Sequence, residues 1–166
     1  MPLAAVPQPE IIPIREDLRL RKYDGNYALL LPGYQDPYVY RNSEGIFDDA
    51  KKPDLAYVKG MCEYLDAHGE LYYIETLENE AFLPIGDVTV KAENPPIAIW
   101  FERFRGRGIG TAVMKAVIDR LRMLGFSKIT GSTVYRWNDV SLRMHLSLGF
   151  SVISSNKEEH TLELEL

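Results

Sequence analysis

Six consecutive residues hold the clearest chemical potential in this 166-residue chain: Arg105-Gly106-Arg107-Gly108-Ile109-Gly110, which follow an apolar run and open a helical pattern. Glycines at alternate positions remove every Cβ from one face of the turn, so main-chain N–H groups can converge there on an anion. The helix that starts beside them adds further unpaired N–H groups and the positive end of its dipole. A pyrophosphate is the natural guest. Arg103, Arg105 and Arg107 either support that anion or form a solvated rim.

Two familiar phosphate loops fit poorly. A dinucleotide fold places its glycines early and an acid after the next strand, whereas here several strand candidates come first and Val134-Tyr135-Arg136 follows. A nucleoside-triphosphatase loop needs Lys-Ser or Lys-Thr after the glycines, and Ile109-Gly110-Thr111 supplies no lysine. What survives is a backbone cradle.

The elements that must position it read as follows. Residues 1–13, with four prolines, form an irregular lead-in. Ile14 to Tyr23 alternates Leu18 and Leu20 with Arg19 and Arg21 and reads as one strand. Asn26 to Asp49 is broken by Pro32-Gly33 and Pro37, so its helices are short; its tyrosines either cover a sheet or line a substrate pocket. A helix follows from Pro53-Asp54 to His68, with Cys62 on its apolar stripe, where it reads as packing. Glu70–Thr76 and Ala81–Val90 read as antiparallel strands, and Ile97–Phe101 as a central strand entering the glycine loop. Ile109 to Leu124 shows one apolar helical face, Lys128 to Val134 a strand, and Asn138 to Leu148 a second helix with Val140, Met144 and Leu148 four apart. Phe150–Ser154 and Thr161–Leu166 close the chain as strands. This is a single α/β (α+β) domain.

The net charge of -5 argues weakly against a nucleic-acid surface. One cysteine excludes an internal disulfide and a four-cysteine metal site, and His68 and His160 lack a metal-ligand partner set, so no metal is expected. Met1 to Glu10 does not read as a signal peptide, and the apolar segments are too short to cross a bilayer, which gives a soluble cytoplasmic protein with no membrane partner.

The cradle, its apolar helix, and then Asn138 followed by Leu148-Gly149-Phe150 resemble the acyl-coenzyme-A-binding core of the GCN5-related N-acetyltransferase (GNAT) superfamily. In that family an Arg or Gln, two residues, Gly, one residue and then Gly or Ala form the pyrophosphate loop; Arg105, Gly108 and Gly110 match. The resemblance is sharp from about Ile97 to Phe150. It implies one acetyltransferase domain over residues 14–166, a mixed central sheet splayed at the cofactor cleft and flanked by helices, and acetyl-CoA as cosubstrate without a metal.

By the same resemblance, Trp100, Phe101, Arg105, Gly106, Arg107, Gly108, Ile109, Gly110, Thr111, Asn138 and Ser141 are the cofactor-binding residues. A main-chain N–H near Trp100 or Phe101 is expected to stabilise charge on the thioester oxygen. Glu75, Asp87, Glu93 and Glu102 are candidates for the amine's proton, with Asp87 and Glu75 foremost; a solvent-facing Asp87 is the simpler reading. His145 occupies the position where the family often places a tyrosine that protonates the departing thiolate, and it reads equally as an ordinary polar helix residue. Tyr135, Arg136 and Trp137 shape an acceptor pocket or form an exposed turn. The implied reaction is direct acetyl transfer to a primary amine, of a small molecule before a protein or peptide, with an inactive CoA-binding module as the non-enzymatic alternative. Homodimerisation is a further expectation.

Overall fold

The computed structural model describes residues 6–166. Leu18 and Leu20 are fully buried while the intervening arginines reach outward, which is the period of a strand with one wet face. This is β2 (Leu18–Lys22), and it pairs antiparallel with both β1 (Ile11–Arg15) and β3 (Glu70–Glu78). The single first strand expected over Ile14–Tyr23 is therefore a hairpin turning at Glu16-Asp17, and the irregular lead-in ends before Ile11. Residues 1–5 of that lead-in lie outside the described residues. Pro13 concealed β1: a proline removes a ladder donor and is tolerated because β1 is an edge strand.

β3 continues through a turn at Asn79-Glu80 into β4 (Ala81–Val90), which pairs with the short β5 (Ile97–Ile99). The resulting sheet has the order β1-β2-β3-β4-β5, antiparallel throughout. A second sheet, ordered β6-β8-β7, comprises β6 (Lys128–Tyr135), β7 (Ser151–Ser155) and β8 (Glu159–Glu165). Among the described residues five α-helices complete the fold: α1 (Leu31–Tyr34), α2 (Pro37–Glu44), α3 (Leu55–His68), α4 (Ile109–Met123) and α5 (Asp139–Ser147). Among the described residues no helix is long and apolar enough to cross a membrane.

Strand alternation sorts the core into two layers. Leu20, Tyr72, Ile74 and Val88 face Val113, Val117 and Leu121 of α4. The opposite face presents Leu71, Tyr73, Ala98 and Trp100 to Val58, Cys62 and Leu65 of α3. Cys62 is enclosed there, and burial pushes its thiol up to about 12, consistent with packing and not nucleophilic chemistry.

The two sheets touch where Glu93 bridges Thr130 in parallel, with Asn94 N–H donating to Thr130 O at 2.8 Å and Thr130 N–H to Ala92 O at 2.9 Å. Beyond that bridge β5 pairs with β4 and β6 with β8. The strands part, and a cleft opens between them in front of α4 and α5.

Candidate functional site

Gly108 caps α4 at φ +76° and Gly106 precedes it at φ +71°, left-handed conformations that L side chains rarely adopt. A Cβ built on either meets nothing within 4 Å, so the space above the turn is open. The first helical bond runs from Ala112 N–H to Gly108 O. The main-chain amides from Gly106 to Thr111 have no hydrogen-bond partner among the described residues. Six unpaired donors at the positive end of a 15-residue helix form an anion cradle. Gly110 serves a different purpose: its Cβ would sit 3.3 Å from Met144 Sδ, so its smallness lets α4 approach α5.

The cradle is displaced by one residue from the expected Arg105–Gly110. Arg105 N–H is committed to Glu102 O, and the Arg105 guanidinium donates to Ile99 O at 3.2 Å and Trp100 O at 2.9 Å while stacking 4.1 Å over Tyr38. Arg105 thus pins β5 to the loop that follows it. Arg103 is spent on a two-pronged pair with Glu78, and Arg107 extends over Phe104 outside the cavity. A cavity of about 200 Å³ lies over the cradle, with Gly106, Gly108, Ile109, Gly110 and Thr111 in its wall.

The main-chain donors of the opposite wall also differ from those expected. Trp100 N–H bonds Ile85 O at 2.8 Å, and its indole is buried against Gly33, whose Cβ position is only 2.4 Å from the side chain. Trp100 and Phe101 do not line the cavity; Ile97, Ala98 and Ile99 do. Pro96 and Trp100 bond toward β4, so alternation turns the peptide groups of Ile97 and Ile99 toward the cleft. The free donors come two residues earlier because the strand ends at Ile99.

On the other side, Asn138 caps α5 by accepting from Ser141 N–H at 3.2 Å, and both residues line the cleft. Of the apolar repeat read in α5, Met144 and Leu148 are half-buried against the core while Val140 is exposed, and the buried residue of this helix is His145. Its Nδ1 lies 2.8 Å from Ser141 O, and a carbonyl only accepts, so Nδ1 carries the hydrogen. Burial lowers its pKa, partly offset by that bond. In the neutral form that burial favours, the ring offers Nε2 as an acceptor.

A second cavity of about 370 Å³ is walled by Tyr34, Glu44, Tyr57, Tyr64, Lys91 and Glu93. Ser43 and Ile97 line it and the cradle cavity alike. A third, of about 140 Å³, runs along Thr133 to Tyr135 and His145 and shares the same two residues. The three spaces therefore meet at the C-terminal end of α2. Arg136 turns away to bond Asn156 O, and Trp137 donates to Arg41 O and stacks on Tyr135, closing α2 against β6.

The favoured acids occupy other places. Asp87 is 1% exposed and not solvent-facing; it accepts from Trp100 Nε1 at 2.7 Å and from Tyr34 Oη at 3.0 Å, behind the cavity wall. Desolvation pushes it up to about 6 against the pull of those two donors. Glu75 is clamped between Arg19 Nε and Arg21 Nε at 2.9 and 2.8 Å and lines none of the three cavities. Glu93 stands in the wall of the second cavity, and Glu102 is exposed in a short turn. The acid that sequence reasoning missed is Glu44. Its signal was present: a carboxylate in the last turn of a helix opposes the dipole and invites a reason.

The family model for the acetyltransferase (GNAT) family matches residues 37–150. The chain belongs to that family. No curated protein matches it. Among solved structures, this GNAT chain is similar to a domain from Methanocaldococcus jannaschii, at 22% identity and a TM-score of 0.75 over 90% of this chain and 98% of that one. It is also similar to yncA of Salmonella typhimurium, a putative acetyltransferase solved with acetyl-CoA, at 17% identity and 0.66 over 91% and 95%. The microcin C7 self-immunity acetyltransferase MccE, solved with acetyl-CoA and AMP, matches at 14% and 0.72 over 95% and 97%. At these identities the likeness is one of fold, and it covers nearly the whole chain.

Proposed function

We propose that this GNAT protein transfers the acetyl group of acetyl-CoA directly to the primary amine of a small molecule. The observation that carries the reading is the continuity of a backbone anion cradle with a separate, aromatic-walled cavity of about 370 Å³ through the gap between β5 and β6. Acetyl-CoA is here a substrate, consumed in each turnover, and supplies the activated acyl group. The amides of Gly106 to Thr111 suit its diphosphate, and the cleft-facing peptide groups of Ile97 and Ile99 suit the amides of its pantetheine arm. Ile97 or Ile99 N–H is also placed to donate to the thioester oxygen as negative charge develops on it. Alignment of the two reactants in adjoining spaces is the main source of rate, about 7 kcal/mol or more when geometry is good.

A small acceptor is favoured by the size of the second cavity, about 370 Å³ between α1, α2, α3 and the Lys91–Ile97 segment. The test is coenzyme-A release from acetyl-CoA in the presence of spermidine, L-methionine, phosphinothricin or a hexapeptide with an N-terminal alanine. Release that requires one of the three small amines is expected. Release with the peptide alone would move the assignment to protein acetylation, and tight acetyl-CoA binding without amine-dependent release would make the protein a binding module.

A further inference from the structure

Glu44 sits at the end of α2, held there from several directions. Gly45 follows it at φ +67°, a conformation that favours glycine, and a Cβ there would lie 2.7 Å from Tyr135 Oη, so a side chain at this position would have to displace the Tyr135 ring of β6. Phe47 packs edge-on against Trp137 with ring centroids 4.9 Å apart, and the Trp137 indole donates to Arg41 O. The position is built, and it delivers the side chain into the second cavity next to Ser43 and Ile97, where that cavity opens toward the cradle.

We propose that Glu44 is the catalytic residue that takes the proton from the incoming ammonium group, with Asp87 acting behind it as a positioning charge. The proposal rests on the acyl-transfer reading above. Glu93 is the other carboxylate lining this cavity; Glu75 is held by two arginines and Asp87 by Tyr34 and Trp100. Tyr34 of α1, Tyr57 of α3, and Lys91 and Glu93 beyond β4 line the cavity with Glu44; Asp87 of β4 stands behind Tyr34, whose hydroxyl donates to it at 3.0 Å, and Tyr135 of β6 lies against Gly45, the next residue along. Burial and then the charge of Asp87 push Glu44 up to about 7, while the Tyr57 hydroxyl favours the ionised form. A base so poised accepts a proton from an ammonium group and returns it to water near neutral pH.

The step balances. The R–NH3+ group loses one proton to Glu44; its nitrogen lone pair forms the C–N bond at the thioester carbon as the carbonyl π pair moves onto oxygen. Collapse restores C=O and breaks C–S, the nitrogen sheds a second proton that ends on the thiolate, and Glu44 releases the first to water. The products are the amide, free coenzyme A and one proton.

The test compares the wild type with E44Q, E44D and D87N, using the fastest of the four acceptors named above. E44Q is expected to bind acetyl-CoA within twofold of the wild type by calorimetry and to lose at least 100-fold in kcat. E44D, which keeps the carboxylate, is expected to recover about tenfold of that loss and guards against a folding defect. In the pH profile of kcat/KM the acidic limb, centred at about 7, disappears in E44Q. It moves to lower pH in D87N, because the repelling charge is gone; a purely structural role would leave it in place. A ¹³C carboxyl resonance titrating near 7 in the wild type and absent in E44Q gives the same answer without turnover. An E44Q enzyme within threefold of the wild type, an unmoved acidic limb, or a Glu44 resonance titrating near 4 overturns the assignment while leaving the transferase reading intact. A wild type that binds acetyl-CoA and acetylates none of the acceptors overturns both.

Discussion

Asp87 holds a carboxylate out of water between a phenol and an indole, and those two donors do not fully replace the lost hydration. Its folded pKa of about 6 lies above the ordinary 3.8, so the folded state binds more protons than the unfolded chain between those values. Stability from this site is therefore greatest below pH 3.8 and declines as pH rises through 6. The decline is on the order of 3 kcal/mol for a shift of about two units. We expect D87N, which cannot ionise, to gain stability relative to the wild type by roughly that amount between pH 4 and pH 8. Urea melts at the two pH values check it; a difference that stays constant would mean Asp87 is not held protonated. At this scale the sequence exposed Asp87 as an oddity in a strand but not its environment, because Tyr34 lies 53 residues away and no periodicity brings it there.

The α4 turn was legible for the opposite reason. Its function resides in the main chain, and glycine at a left-handed position leaves a mark that a side-chain contact does not. Two substitutions separate the contributions. Gly108→Ala puts a Cβ at φ +76° and is expected to lower stability by about 1–2 kcal/mol in addition to weakening coenzyme-A binding. Gly108→Asn, a residue that tolerates this conformation, is expected to keep most of the stability and still weaken binding at least tenfold, since its side chain enters the open space over the amides. Calorimetry alongside thermal melts distinguishes the two; full affinity in a folded Gly108→Asn would show that the turn needs no clearance. Elements whose identity depends on partners were harder to read. β1 was hidden by Pro13, and in α2 the only mark of its last residue was a carboxylate set against the helix dipole, which does not by itself say that the side chain enters a cavity.

Across the whole molecule, α4 is tied to the five-stranded sheet by Arg120, whose guanidinium meets Glu70 at 2.7 and 2.9 Å with both side chains under 10% exposed. Removing the cation alone strands a buried carboxylate, so Arg120→Ala is expected to cost about 3–5 kcal/mol, measurable by urea denaturation. A loss below 1 kcal/mol would mean that water replaces the guanidinium. The pair matters to function through geometry: it fixes the helix whose first turn is the cradle to β3, in the sheet whose edge strand β5 bounds the cleft. The central claim, that main-chain donors at the start of α4 hold the diphosphate of acetyl-CoA, is tested most directly by ¹⁵N-resolved amide spectra during titration with acetyl-CoA. The largest shifts are expected at Gly106 to Thr111 and at Ile97 and Ile99. Saturable binding that leaves those amides unmoved, or no binding by the folded protein, would contradict it.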